Sequence, residues 1–431
     1  MENTIKEILT PRYMAQFQCL GGECEDSCCI DEWTITIEKK YYQKIERVLS
    51  RNQQSRTEFT NKIKRLHGSA ADKTHYATIA HGEDHRCGFL SETRMCSLHQ
   101  AYGPGILPSV CGTYPRLNFM INNRFERYGT LSCPEVARQC LLHDDALTLE
   151  LLSTTPQPNT YGNLATVGDR HNYYEKYYDD IRTTVAELLT LPGYSLETRL
   201  FFVIFFAIRS QKIFYDGVPH DPFDGLKESI NHIKQAQHQA EIQTLTAQIA
   251  CDFLAPTKLV LNILFTCRTA YSPSSSRYLF TQKIIDSVFR ESPQMTQAEA
   301  GAFAFKRYSA VKNRIAPHYR DKLELYFTNY ALNFWLSYPY IQSPHLVNHT
   351  RKLLLRLAAI KFCLFNHPAI VEVAHSDSPH GHEERLERTV VETVYLLTRS
   401  FDHNNSFMEK MEAEMERDNA GLPLLAALLT Y

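Results

Sequence analysis

CLGGECEDSCC, residues 19–29, is the stretch on which the reading of this chain turns. It sets Cys19, Cys24, Cys28 and Cys29 within eleven residues, and more cysteine runs follow: RCGFLSETRMCSLHQ at 86–100, VCGTYPR at 110–116, LSCPE at 131–135 and RQC at 138–140. Nine of the twelve cysteines therefore lie between Cys19 and Cys140 of a chain of 431 residues. A small secreted domain would use such a set for disulfides, whereas a large chain in a reducing compartment uses it for metal. The N-terminal MENTIKEILTPRYMAQFQC carries acidic residues and no apolar signal-peptide core, so a cytoplasmic protein is expected. Soft thiolates select zinc, copper(I) or iron–sulfur clusters over magnesium or calcium. If 23–30 is helical, Cys24 and Cys28 share a face, and Cys29 points about 100° away, toward another role or another centre. Spacing alone leaves open which four thiolates share a centre and whether there is one centre or two. His81, His85 and His99 flank Cys87 and Cys96 and read as ordinary loop histidines. Cys251, Cys267 and Cys363 stand in apolar helical contexts and read as packing.

Working outward, Trp33 to Ile37 (WTITI) has the alternation and β-branching of a half-buried strand, and Leu117 to Tyr128 suits a hairpin around Asn122-Asn123. The composition then shifts to STTPQPNTYGN at 153–163, a surface linker. Beyond it, apolar residues recur at helical spacing. Helices are expected over about 173–190, 195–214, 224–250, 256–267, 277–290, 296–313, 319–338, 345–365, 383–401 and 406–418. Thr296 with Glu299 has the capping-box spacing. The fold class expected is mainly α: a cysteine-rich N-terminal module with a few short strands (1–150), a linker (151–171) and a multi-helical body (172–431).

Composition excludes several functions. Hydrophobic residues make up 44% and charged residues 22%, which suits a globular chain, and the formal net charge of -2 gives no field for nucleic acid. FFVIFFAI at 201–208 is far short of the ~20 residues of a membrane span. No G-x-G-x-x-G follows a strand and no P-loop occurs, so neither a dinucleotide fold nor a Rossmann-type methyltransferase is indicated. The H-x-H in HSDSPHGH, 375–382, lies among loop-forming residues.

Taken in order, PRYMAQFQCLGGECEDSCCIDEWTITIEK (11–39), CGFL (87–90), CSLHQAYGPGILPSVCGTYPR (96–116) and LSCPEVAR (131–138) resemble the flagellin lysine N-methylase family. More distantly they are similar to small zinc- or iron-chelating domains with a C-x-x-C-x-x-C-C signature, whose gaps are narrower. The resemblance spans about residues 10 to 140; the helical remainder fits in length and character but offers no motif. It implies methyl transfer from S-adenosylmethionine to lysine ε-amino groups of flagellin, in a protein holding a [4Fe-4S] cluster, with zinc the alternative metal. The matching positions are Cys19, Cys24, Cys28, Cys29, Cys87, Cys96, Cys111 and Cys133, with Tyr114, Pro115 and Arg116; Cys140 falls outside the pattern. Asp31 stands where a radical enzyme's C-x-x-x-C-x-x-C loop would have its third cysteine, which argues against a radical S-adenosylmethionine barrel.

Arg116, five residues after Cys111, can neutralise a thiolate-rich centre, bind the carboxylate of S-adenosylmethionine, or simply make a strand-edge salt bridge. Tyr114 can hydrogen-bond a cluster sulfur or pack beneath it. These two are the candidate catalytic residues, and Arg116 is the candidate cosubstrate ligand. Polar and radical transfer both remain open, and a metal-binding or redox-sensing protein without catalysis is the competing function.

Overall fold

The computed structural model describes residues 7–30, 33–153, 164–167, 177–215, 222–249, 251–290, 295–338, 346–402, 413 and 421–431. The fold is mainly α with short strands confined to the N-terminal region.

The hairpin forms where expected. Strands β5 (Arg116–Ile121) and β6 (Arg124–Gly129) pair antiparallel across Asn122 and Asn123, whose φ values of 49° and 64° give the doubly left-handed two-residue turn that matches strand twist. β1 (Glu7–Pro11) lies parallel to β6 and antiparallel to β7 (Leu149–Ser153), while β8 (Leu164–Val167) lies parallel to β5. The sheet order is therefore β7-β1-β6-β5-β8. Residues 154–163, most of the Ser/Pro-rich stretch, lie outside the described residues, as do 168–176; on either side of the former the chain is strand.

A second, three-stranded sheet joins β2 (Thr36–Ile37), β4 (Ala77–Ile79) and β3 (Ile63–Arg65) in the order β2-β4-β3. The WTITI strand is shorter than its pattern suggests because its partner has three residues; Ile35 and Ile37 are nevertheless buried, and Ile79 N–H donates to the Ile35 carbonyl at 3.0 Å. Between these strands lie α2 (Lys39–Leu49) and α3 (Gln53–Lys62), which the sequence reading did not separate from the module's loops. The signal was there: Tyr41, Ile45 and Leu49 recur every four residues and all three are buried.

The body is built from α7 (Tyr178–Leu189), α8 (Leu196–Tyr215), α9 (Pro222–Lys234), α10 (Ala236–Ala247), α11 (Leu254–Ala270), α12 (Ser276–Phe289), α13 (Gln297–Ile315), α14 (Arg320–Ser337), α15 (Leu346–Asn366), α16 (Pro368–His375), α17 (Glu383–Asp402) and α18 (Leu422–Thr430); the short α1 (Arg12–Ala15), α4 (Ser97–Tyr102), α5 (Ser109–Thr113) and α6 (Pro134–Leu141) precede them. The helix expected over 224–250 is broken at Gln235, which is extended; the Gln239 side chain donates to the Ile233 carbonyl at 3.0 Å, supplying a partner at the helix end. α16 and α18 were not anticipated, and 406–418 lies almost entirely outside the described residues. α14 and α15 are the central pair, buried without a break over Tyr326–Ser337 and Leu353–Asn366. No single described helix is long and apolar enough to cross a membrane.

Two cores result. The larger runs through the body and takes in Tyr13, Phe17, Phe119, Tyr128 and Val136 from the first sheet and its helices; the smaller lies under residues 35–107. Polar bonds seat the sheet on α14: Tyr13 hydroxyl donates to Asn333 Oδ1 at 2.6 Å and accepts from Gly129 N–H at 2.8 Å, while Asn329 donates to the His143 carbonyl at 2.9 Å.

Candidate metal centre

The segment around Cys24 and Cys28 is not a helix. A single 3-10 turn at Gly21–Glu23 ends at Cys24, which is extended, and a loop leads to Cys28. Gly21 takes φ +57°, a conformation that glycine adopts freely, and begins this turn. The shared helical face expected of Cys24 and Cys28 is therefore replaced by loop geometry fixed from outside. Arg94 Nη2 donates to the Cys24 carbonyl at 2.7 Å, and Trp33 Nε1 to the Cys28 carbonyl at 3.0 Å. Arg399, on α17, donates to the Asp26 carbonyl at 3.0 Å and pairs with the Asp26 carboxylate at 2.9 Å.

Arg399 was not foreseen. It is 2% exposed, and its Nε also donates to the Ser132 carbonyl at 2.9 Å, so one guanidinium ties the Cys24–Cys28 loop to the residue before Cys133. Nothing in the helix pattern of α17 marks it, because its partners lie more than 260 residues earlier in the chain.

All twelve cysteines are free thiols. Eight lie near enough around this loop for neighbours among them to bear on one another or on Arg116. Cys133 precedes α6 with the N–H groups of Val136 and Glu135 facing its sulfur; burial nevertheless pushes its pKa up to about 12, with Cys24 adding to the rise. Cys24 is raised chiefly by burial, with Cys19 among its neighbours. Cys87 is pushed up to about 11 by burial, with Cys29 and Cys96 near it. Cys96 precedes α4, with N–H groups of His99 and Leu98 facing its sulfur, and burial raises it too. Cys111, on α5, is raised by burial and then by Cys29, Cys87 and Cys96. It keeps accessible surface while crowded by protein, as a side chain lining a recess does. Cys28 and Cys29 share a side-chain hydrogen bond, which, with burial, raises Cys28 and brings Cys29 down to about 7. Within this hydrogen-bonded pair Cys29 is the thiol favoured to ionise, and a cation brought among these thiols would favour the thiolate form of all of them.

Among the described residues, no three Cys, His, Asp or Glu side chains are packed tightly enough to hold one metal ion. The eight thiols surround a region rather than a point. A set of sulfur donors alone fits a cluster of iron and sulfide or a thiolate-bound zinc, and fits no hard cation.

The other candidates fall around this region. Arg116 opens β5, its guanidinium 5.2 Å from the centre of the Phe17 ring; burial lowers its pKa, and Cys19 and Cys133 act in the opposite direction. The Tyr114 hydroxyl lies 3.1 Å from Ser132 Oγ, and its ring stands edge-on to Trp33 at 5.1 Å. His85 contacts Ser272 Oγ at 2.8 Å and His81 the Ile79 carbonyl at 3.2 Å. Cys140, Cys267 and Cys363 are buried within the larger core. Beside α5, Lys39, Lys40, Lys73 and His75, with Glu38, line a surface groove of about 620 Å³.

Comparison with curated proteins gives no match, and neither does comparison with solved structures. The family model described as the FliB lysine N-methylase C-terminal domain matches residues 182–428. That is the helical body, which carries Arg399, and not the cysteine runs on which the resemblance was read. With more than half of its length matched, the chain belongs to the FliB lysine N-methylase family.

Proposed function

We propose that this protein transfers methyl groups from S-adenosylmethionine to lysine ε-amino groups exposed on flagellin, and that its clustered cysteines hold a [4Fe-4S] cluster. The observation that carries the reading is the family match over 182–428. The body so matched sends Arg399 into the wall of an eight-thiol region, which ties the cysteines to the methylase domain.

A substrate lysine has a reference pKa of ~10.4 and is protonated at neutral pH, so the amine must lose its proton before its lone pair can accept a methyl group. An apolar, water-poor surface favours the neutral amine. A four-iron cluster takes four cysteines, and its ligands would be drawn from Cys19, Cys24, Cys28, Cys29, Cys87, Cys96, Cys111 and Cys133. When bound, a cluster supplies an open coordination position or an electron. Arg116 and Arg399 bring positive charge to the thiolate-rich region and make it less costly to assemble. Arg116 is also the group that would meet the carboxylate of S-adenosylmethionine.

Mass spectrometry of flagellin after co-expression tests the proposal. Methylated lysines on the flagellin surface are expected, and Cys28→Ala should abolish them while the protein stays soluble. Unmodified flagellin beside a cluster-loaded protein would overturn the activity and favour a metal-binding or redox-sensing role.

A further inference from the structure

We propose that the groove beside α5 docks an extended, acidic stretch of the protein substrate. This rests on the flagellin reading above and deepens it, by naming where such a substrate is gripped and through what chemistry.

The groove, of about 620 Å³, lies where the edge strand of the second sheet meets the starts of α2 and α5. Thr36 comes from β2, Lys39 and Lys40 from α2, Lys73 from the turn before β4, and Ser109 and Val110 from α5. Three lysines thus share the groove with one carboxylate, Glu38, which already accepts from Ser109 N–H at 3.3 Å. In a chain whose formal net charge is -2, this is a local excess of positive charge. Asp72, the carboxylate next to Lys73, is spent on its own turn, accepting from the N–H groups of Thr74 and His75 at 2.6 Å each. Lys39 and Lys40 rest against tyrosine rings, their Nζ atoms 5.6 Å from the centre of Tyr76 and 4.7 Å from that of Tyr41. Such contacts orient an ammonium without neutralising it.

Ser109 adds an unmet hydrogen bond. It is 2% exposed, and its hydroxyl has no partner among the described residues, an arrangement that costs stability until a ligand or a water supplies one.

The backbone decides between two kinds of anion. A phosphate is ordinarily cradled by free N–H groups at a helix start. Here Lys39 N–H donates to the Lys73 carbonyl at 2.9 Å, and Tyr41 and Tyr42 N–H both donate to the Glu38 carbonyl at 2.9 Å. Among the described residues no arginine lines the groove to grip a phosphate in a fork. Separate lysines along an open groove suit carboxylates spread along a chain, and the hydroxyls of Thr36 and Thr74 can bond that chain's backbone. Val110 is followed by Cys111, so a chain lying here runs past the thiol region.

The test uses the full-length protein and a fluorescently labelled peptide of alternating aspartate and serine, with its asparagine counterpart and inorganic pyrophosphate as comparison probes. Fluorescence anisotropy should show the aspartate peptide binding, more weakly as salt rises, and the asparagine peptide not binding. Lys39→Ala with Lys73→Ala should weaken it about tenfold, a few-fold for each exposed charge pair. Lys258→Ala with Lys306→Ala, exposed on the helical body, should leave it unchanged. Circular dichroism confirms that each variant keeps its helices. On purified flagellin the groove variant should show a raised KM and an unchanged kcat. No binding by the wild type, equal binding in the two double variants, or equal binding of the asparagine peptide would overturn the acidic docking site. Tighter binding of pyrophosphate, displacing the peptide, would overturn the peptide occupant in favour of a phosphate. Peptide binding lost in the groove variant with flagellin kinetics unchanged would overturn docking of flagellin here and leave the methylase reading standing. Peptide binding as expected with no methylation by the wild type would overturn the methylase reading and leave the groove's chemistry supported.

Discussion

The two cores of this protein differ in what they can hold up alone. The larger buries Trp335, Tyr308, Tyr326, Phe202 and Phe206 almost completely and extends over most of the helices. The smaller, under residues 35–107, has thirteen buried hydrophobic residues, and only short strands and helices cover it. Domains with so little apolar burial usually depend on a metal or a disulfide for stability. This one has no disulfide, while Cys87 and Cys96 line its edge. The difference teaches that the body folds by burial, whereas the cysteine region has too little apolar burial to do so as readily and, on the cluster proposed above, would be completed by what its thiols bind.

Removing the cluster proposed above is the most direct way to break the comparison, and it carries the largest expected effect. After iron is stripped with a chelator, amide hydrogen exchange over 35–107 should speed up by orders of magnitude, because metal binding in small thiolate domains is folding free energy. Amides of α14 and α15 should keep their protection. Equal loss in both regions would show that the cores stand or fall together, and no loss in either would show that the smaller core suffices.

Arg399 lies where the regions meet. Arg399→Ala leaves the Asp26 carboxylate without its 2.9 Å partner and the Asp26 and Ser132 carbonyls without their donor, and breaking a buried pair in this way costs about 3–5 kcal/mol. Chemical denaturation should show that loss, and iron content should fall in step with it. Arg399→Lys keeps the charge but not the fork, and should recover only part of both. Unchanged iron in Arg399→Ala would separate the helical body from the thiol region.

The body was legible in the sequence because its helices are amphipathic or wholly apolar and their period is local. The same holds for the Asn122-Asn123 hairpin, whose turn chemistry needs only two residues. The thiol region was legible as a set, since nine cysteines in one third of a chain is a compositional fact. Its arrangement was not. The 23–30 helix was inferred from a four-residue gap, whereas the path of that loop is fixed by Arg94, Trp33 and Arg399, which are remote in sequence. The break at Gln235 was hidden for a related reason, because side chains beyond it supply hydrogen bonds that a continuous helix would have made internally.

A pH titration sharpens the contrast further. His349, buried between Phe334 and Trp335, is held down to about 3 by burial, from an ordinary value of 6.5. Folded protein keeps this ring neutral. Unfolded chain takes up a proton as the pH drops below 6.5, so stability is complete above that pH and falls as the pH moves from 6.5 toward 3. The slope is about 1.4 kcal/mol per pH unit, or about 2 kcal/mol by pH 5. Glu392, held down to about 2 by His367 and Lys283 against the opposing effect of burial, adds its own loss only below its ordinary 4.5. Between 4.5 and 6.5 the deeply buried His349 is therefore the main contributor, with a smaller part from the more exposed His232, also lowered by burial, and His349→Leu should reduce the slope in denaturation curves of the body. A slope unchanged in the variant would assign the effect elsewhere.

The smallest effect compares two kinds of helix start. Thr296 opens α13 with a complete capping box: its hydroxyl accepts from Glu299 N–H at 3.4 Å, and the Glu299 carboxylate accepts from Thr296 N–H at 2.8 Å. Cys96 stands at the corresponding position of α4, where the sulfur makes no cap hydrogen bond. Thr296→Ala removes an exposed cap and should cost about 1 kcal/mol, read as a shift in the denaturation midpoint with no change in bound iron. Cys96→Ser supplies a capping oxygen, yet replaces a soft sulfur by a hard donor, so its helix start should survive while the iron of the proposed cluster is lost. If Cys96→Ser kept all of its iron, Cys96 would not be a ligand of the proposed cluster.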